Sequence, residues 1–141
     1  MSARNVQFAQ AWLKKAEHDL ITARAVLVLP NGPTDTPSFH AQQAVEKALK
    51  GLLTLHGITF SRTHDLFVLL DCVLAVYPQL IVYESVLGLM NGYAVETRYP
   101  GDILEPDRAE VVQAVQTAEE IVELVSNLLH PPILTPPASK N

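Results

Sequence analysis

His40, Gln43, Lys47 and Lys50 recur at alternating spacings of three and four residues. On a helix this stacks an imidazole, an amide and two ammonium groups along one side. Such a row can hold a polar or anionic ligand. A second set follows further along the chain, with His64 beside Asp65 and Arg98 beside Tyr99. Phosphate recognition needs point or forked cations together with backbone donors at a helix N-terminus, and Lys47, Lys50, Arg98 and a helix start at Thr63 supply that combination. Tyr99 or Tyr93 can stack on a base. The competing expectation is structural: Asp19, His64, Asp65 and Arg98 form an internal ion-pair network, and Lys47 and Lys50 belong to a solvated face paired with Glu46.

The helix that must position the first row runs from Phe39 to Leu55. Ala41, Ala44, Val45, Ala48, Leu49, Leu52, Leu53 and Leu55 share its broad apolar face, and His40, Gln43, Glu46, Lys47, Lys50 and Thr54 gather opposite. That face is wide enough for the central member of a bundle. Upstream, Phe8, Ala9, Trp12, Ala16, Leu20, Ala23, Val26 and Leu27 keep helical spacing from Asn5 to Leu29. Asp19 falls among them on the core side, where an unpaired carboxylate costs several kcal/mol or takes up a proton, so a cation must reach it. Arg98 is the expected partner. Trp12 reads as core rather than as a stacking platform.

A loop rich in Pro, Thr, Asn and Gly precedes the central helix, and Asp35, Thr36 or Ser38 can cap it. Gly57 stops it in the left-handed conformation. Thr63 is the expected N-cap of the next helix, with Asp65 at its positive end and Leu66, Leu69, Leu70, Val73 and Leu74 as its buried stripe. Pro78 ends that helix. A fourth helix is expected from Gln79 to Arg98, with Tyr83, Leu87, Met90 and Ala94 on one stripe, Val82, Val86, Leu89 and Tyr93 beside it, and Gly88 and Gly92 where another helix can pack closely. The last, from Pro106 or Asp107 to Leu129, carries Val111, Val115, Ala118, Val122, Val125 and Leu129 as a seam. With no alternating strand pattern, the fold class is all-α: an up-and-down antiparallel four-helix bundle with an additional short helix over residues 1–130, followed by a Pro-rich tail, 131–141, expected to be disordered.

A chain of 141 residues suffices for one core without metal or disulfide. Cys72, the single cysteine, lies in an apolar run and reads as a small buried hydrophobe. The five histidines show no metal-binding spacing, so no metal is expected, and no nucleophile motif accompanies Ser, His and Asp. The net charge of -5 argues against a surface that coats DNA. The N-terminus lacks the apolar core of a signal peptide, and Asp71 interrupts the longest apolar run. A soluble, cytoplasmic protein with no membrane association is expected.

Four motifs in order, Trp12-Leu13-Lys14-Lys15-Ala16-Glu17-His18-Asp19-Leu20, the run from Phe39 to Lys50, Thr63-His64-Asp65-Leu66 and Arg98-Tyr99-Pro100, resemble the HEPN domain over residues 5 to 130. The resemblance implies a helical bundle that commonly dimerises and that works beside a minimal nucleotidyltransferase, as in toxin–antitoxin pairs. Many members are ribonucleases or toxins that use an Arg followed after four to six residues by His; here no arginine has a histidine at that distance, and Arg98 is followed by Tyr-Pro-Gly-Asp-Ile-Leu-Glu. The expectation is therefore a nucleotide-binding and interaction module, a homodimer without a catalytic residue of its own and without a resident cofactor. Gln43, Lys47, Lys50, His64, Asp65, Arg98 and Tyr99 would hold a nucleotide such as ATP, or RNA, and Asp19 would pair with Arg98. The alternative is a divergent metal-independent ribonuclease or toxin with His64 as general acid or base and Arg98 stabilising phosphorane charge.

Overall fold

The structure of the chain is a computed structural model, and it describes residues 1–94 and 105–130. The first helix, α1 (Ala3–Leu27), starts at Ser2, whose hydroxyl accepts the Asn5 amide N–H at 3.0 Å. It buries Ala9, Leu13, Ala16, Leu20 and Ala23 together with the carboxylate of Asp19. Phe8, expected on the core stripe, is half exposed instead, and Leu13 takes the inward position.

The central helix, α2 (Asp35–Leu55), begins four residues earlier than the periodicity indicates. Asp35 sits in its first turn and accepts the Thr36 amide N–H at 2.9 Å, while the Ser38 hydroxyl donates back to the Asp35 carbonyl at 2.8 Å. Its far end closes as the sequence predicts. Gly57 takes φ 67°, the Ile58 amide donates to the Leu53 carbonyl at 2.9 Å and the Gly57 amide to the Thr54 carbonyl at 3.1 Å, the paired bonds of a Schellman cap.

The third helix, α3 (Leu66–Leu74), is short, and Asp65 rather than Thr63 is its N-cap. The Asp65 carboxylate accepts the Phe67 amide N–H at 2.9 Å and the Asn91 side-chain amide N–H at 2.9 Å. Asn91 uses its carbonyl oxygen to accept the Leu66 amide N–H at 2.8 Å, so one asparagine ties the start of α3 to the end of the following segment.

That following segment departs from the continuous helix expected between Gln79 and Arg98. It comprises a 3-10 turn (Pro78–Tyr83), the helix α4 (Glu84–Met90) and a second 3-10 turn (Asn91–Tyr93). Residues 95–98 lie outside the described residues. Leu80, Leu87, Met90 and Tyr93 are buried, whereas Val82 and Leu89 point to solvent. Gly88 faces α3: a Cβ there would come within 2.7 Å of the Phe67 ring. The Tyr93 hydroxyl donates to the Glu110 carboxylate. Burial first, and then that carboxylate, raise its pKa well above the ordinary phenol value.

The last helix, α5 (Arg108–Leu129), buries Val111, Val115, Ala118, Val122, Val125 and Leu129, the expected seam, and adds Ala114 and Ile121. The Arg108 guanidinium donates to the Leu27 and Leu29 carbonyls, satisfying the C-terminal end of α1.

The all-α, up-and-down bundle is thus the fold observed, with no strand among the described residues. Three long helices, α1, α2 and α5, pack on one another, and the shorter α3 and α4 share the fourth position. Every other helix touches α2. No helix among the described residues is long and apolar enough to cross a membrane. The 131–141 tail lies outside the described residues.

The capping arrangement at α3 is pH-sensitive in a defined direction. The Asn91 amide, ahead of the opposing effect of burial and together with the Phe67 and Val68 backbone amides, holds the Asp65 carboxyl below its ordinary 3.8. A depressed folded-state pKa adds stability above 3.8 that disappears as pH falls through the lower folded value. Asp65→Ala is expected to lose about 1 kcal/mol at neutral pH. In denaturant titrations its deficit relative to wild type should narrow below pH 3.8.

Candidate functional site

The site is built on the polar side of α2, and that side is not a solvent face. Because α2 is wrapped by the other helices, Glu46 is 3% exposed and Lys50 8%, and Gln42 is fully buried. His40, Gln43, Lys47 and Thr54 are half-buried. A charge in such a place persists only if paired and hydrogen-bonded. Two separate groupings do this.

In the first, Asp19 of α1 takes one partner per carboxylate oxygen. His40 Nδ1 lies 2.8 Å from Oδ1 and Lys47 Nζ 2.5 Å from Oδ2. His40 and Lys47 are seven residues apart, two helical turns, and a lysine side chain in a helix leans toward its N-terminus, so both heads converge on one carboxylate. The cation expected for Asp19 is therefore supplied by α2. Arg98, the expected partner, lies outside the described residues.

In the second, Glu46 bridges the chain onto itself. Lys50, one turn on, places Nζ 3.1 Å from Oε2, and His64 in the α2–α3 connection places Nδ1 2.8 Å from Oε1. Glutamate four residues before lysine is the favourable order on a helix. Lys50 Nζ also lies over the Trp12 ring, 5.6 Å from its centroid, within cation–π range. Trp12 is half-buried and serves as a cover for this ammonium. Gln42 secures the connection further, donating from its side-chain amide to the His64 carbonyl at 3.0 Å, and the Gln43 side-chain amide donates to Gln42 Oε1 at 2.7 Å.

The outcome for chemistry is asymmetric. Lys47 and Lys50, the candidate phosphate ligands, are each neutralised by a buried carboxylate, and Gln43 is bound to Gln42. His64 is different. Its backbone and Nδ1 are clamped while its side chain remains 73% exposed. A ring whose Nδ1–H is donated to a carboxylate presents Nε2 outward as a base. It borders an open cleft of about 470 Å³ lined by His64, Asp65, Asn91, Gly92 and Ala94. Asp65 and Asn91 are there already engaged in capping α3. The structure thus brings Lys50 and His64 together on Glu46, places Lys47 apart from them on Asp19 and Gln43 on Gln42, and puts Asp65 at the cleft; Arg98 and Tyr99 lie outside the described residues. No cluster of His, Cys, Asp or Glu that could hold a metal occurs among the described residues.

Sequence reasoning missed three members of this arrangement, Gln42, Glu46 as a clamp for His64, and His40 as a partner of Asp19. One signal was available: on the helical wheel Gln42 falls between Leu49 and Leu53, inside the apolar stripe, so it had to be buried and bonded.

Known proteins match the chain over nearly all of its length. A family model, the HEPN domain, matches residues 9–128. A Methanocaldococcus jannaschii protein named "Putative toxin MJ1304" is 28% identical over 142 aligned positions that cover 91% of this chain and 92% of that one. Two crystal structures superpose well. TT1696 from Thermus thermophilus has a TM-score of 0.64 at 30% identity, covering 84% of this chain and 96% of that one. ST0689, an archaeal HEPN homologue, has a TM-score of 0.65 at 27% identity, covering 86% and 97%.

Removing one member of a buried pair strands the other. Asp19→Ala leaves Lys47 without its countercharge and is expected to cost about 3 kcal/mol. Asp19→Ala with Lys47→Met should recover most of that loss in the same chemical denaturation experiment.

Proposed function

Because this chain belongs to the HEPN family, we propose that it is the HEPN member of a toxin–antitoxin-like pair, a homodimeric nucleotide-binding and interaction module that acts with a minimal nucleotidyltransferase in the cytoplasm. The observation that carries this is the relative named as a toxin, aligned across nine-tenths of both chains with no Arg-to-His catalytic spacing in this one. The ligand contacts fall to His64, Arg98 and Tyr99, because the α2 ammonium groups already face carboxylates. Calorimetric titration with ATP should give binding that Arg98→Ala abolishes and Lys47→Met, in the refolded protein, leaves largely intact. No heat at millimolar ATP would remove the nucleotide half. Copurification with a nucleotidyltransferase encoded beside this chain checks the other half.

One geometric feature favours a second activity. His64, held through Nδ1 by Glu46, has the arrangement of a general base. As a metal-independent ribonuclease, Nε2 would take the proton of a ribose 2′-hydroxyl while that oxygen attacks phosphorus and the 5′-oxygen leaves protonated by solvent, with the Arg98 guanidinium neutralising the phosphorane. Purified dimer should then cleave RNA, and His64→Ala should slow cleavage by about 100-fold or more. Intact RNA, or cleavage indifferent to His64, would exclude this activity.

A further inference from the structure

Phe8 and Trp12, one helical turn apart on α1, border a single cleft of about 240 Å³ that Ala11 and Lys15 complete. Phe8 is half exposed and Trp12 half-buried. A cation stands over each ring, the Arg4 guanidinium 5.4 Å from the Phe8 centroid and Lys50 Nζ 5.6 Å from the Trp12 centroid. A cation over one face leaves the other for an uncharged group. The end of α5 brings the chain to the same level of α1. Arg24 pairs with Glu119, and seven residues back along α1 Glu17 lines the groove with Ser126, seven residues on along α5. Four more steps of this antiparallel register set His130 level with Leu13, the neighbour of Trp12. On the α1 wheel Phe8 and Lys15 lie about 180° from the side that meets α5, and half the girth of a helix about 10 Å across is about 16 Å. In the polyproline II conformation residues 131–136 span about 19 Å.

We infer that the Pro-rich run 131–141 crosses α1 and seats Pro136 and Pro137 in the cleft between Phe8 and Trp12. Three features select this segment of the chain as the occupant. Proline-rich segments dock into aromatic-lined grooves, because a chain already extended in polyproline II gives up little freedom on binding. The reach from His130 fits, and a tether of that length holds the segment at a millimolar effective concentration, ahead of a free peptide. From Pro131 to Ser139 the run carries no charged side chain, so laying it on an apolar cleft desolvates no ion. The inference is independent of nucleotide binding, of RNA cleavage and of any partner.

Trp12 is the only tryptophan of the chain, so its fluorescence reports on the cleft directly. A chain ending at His130 keeps α1 to α5 whole and contains all of the residues 9–128 that match the family. Relative to the full chain, its Trp12 emission should shift to longer wavelength and be quenched more strongly by acrylamide, while helicity is unchanged. Pro136→Ser with Pro137→Ser in the full chain should reproduce that shift. A synthetic peptide of residues 131–141, added at millimolar concentration to the shortened chain, should reverse it, and Phe8→Ala in the shortened chain should weaken the reversal. Emission and quenching that are the same with and without residues 131–141 overturn the inference. So does a shift on shortening that neither the proline variant reproduces nor the peptide reverses, because the segment then acts on Trp12 without occupying the cleft.

Discussion

Two largely buried carboxylates, Asp19 and Glu46, govern how this molecule is assembled. Each must be compensated where it lies, and each is compensated by an ammonium and an imidazole. The two lysines and one of the histidines come from α2, which is why that helix carries a polar row although it is the most enclosed element of the bundle. Asp19 thereby sets the rotation of α1 against α2, and Glu46 fixes where the chain re-enters after the Schellman turn at Gly57. Exposed pairs such as Arg24–Glu119, at 2.8 Å between α1 and α5, add little by comparison because water screens them.

The same constraint shapes what the surface can offer. With Lys47 and Lys50 each facing a carboxylate, a phosphate at the α2 row would have to compete with Asp19 and Glu46 for them. The most exposed group of the two pairs is His64, and it is held unusually well for an exposed side chain, by Glu46 through its ring and Gln42 through its carbonyl. A merely capping residue needs neither. The neighbouring Asp65 and Asn91, in contrast, spend their polar atoms on the start of α3.

Much of the fold was legible in the sequence because periodicity reports the apolar side of a helix. The α5 seam, the Gly57 stop and the inward turn of Asp19 followed from spacing alone. The polar side of α2 was harder: a wheel shows which residues lie opposite the core stripe, and it does not show that Trp12 and the α2–α3 connection fold over them. Lys50 therefore read as solvated when it is enclosed. The stretch after Pro78 misled for a different reason. Its hydrophobic residues continue at helical spacing, yet the backbone tightens into a 3-10 turn, and Val82 and Leu89 end outside the core.

The α2 ammonium groups face carboxylates while the His64 ring faces solvent, so a ligand should meet the ring first. Heteronuclear NMR can follow the Lys47 and Lys50 ammonium signals and the His64 ring signals separately as ATP is added. The His64 resonances should move with saturation and both lysine signals should stay in place. Lysine signals that shift in step with bound ATP would show the Asp19 and Glu46 pairs opening to receive phosphate, and would contradict the account.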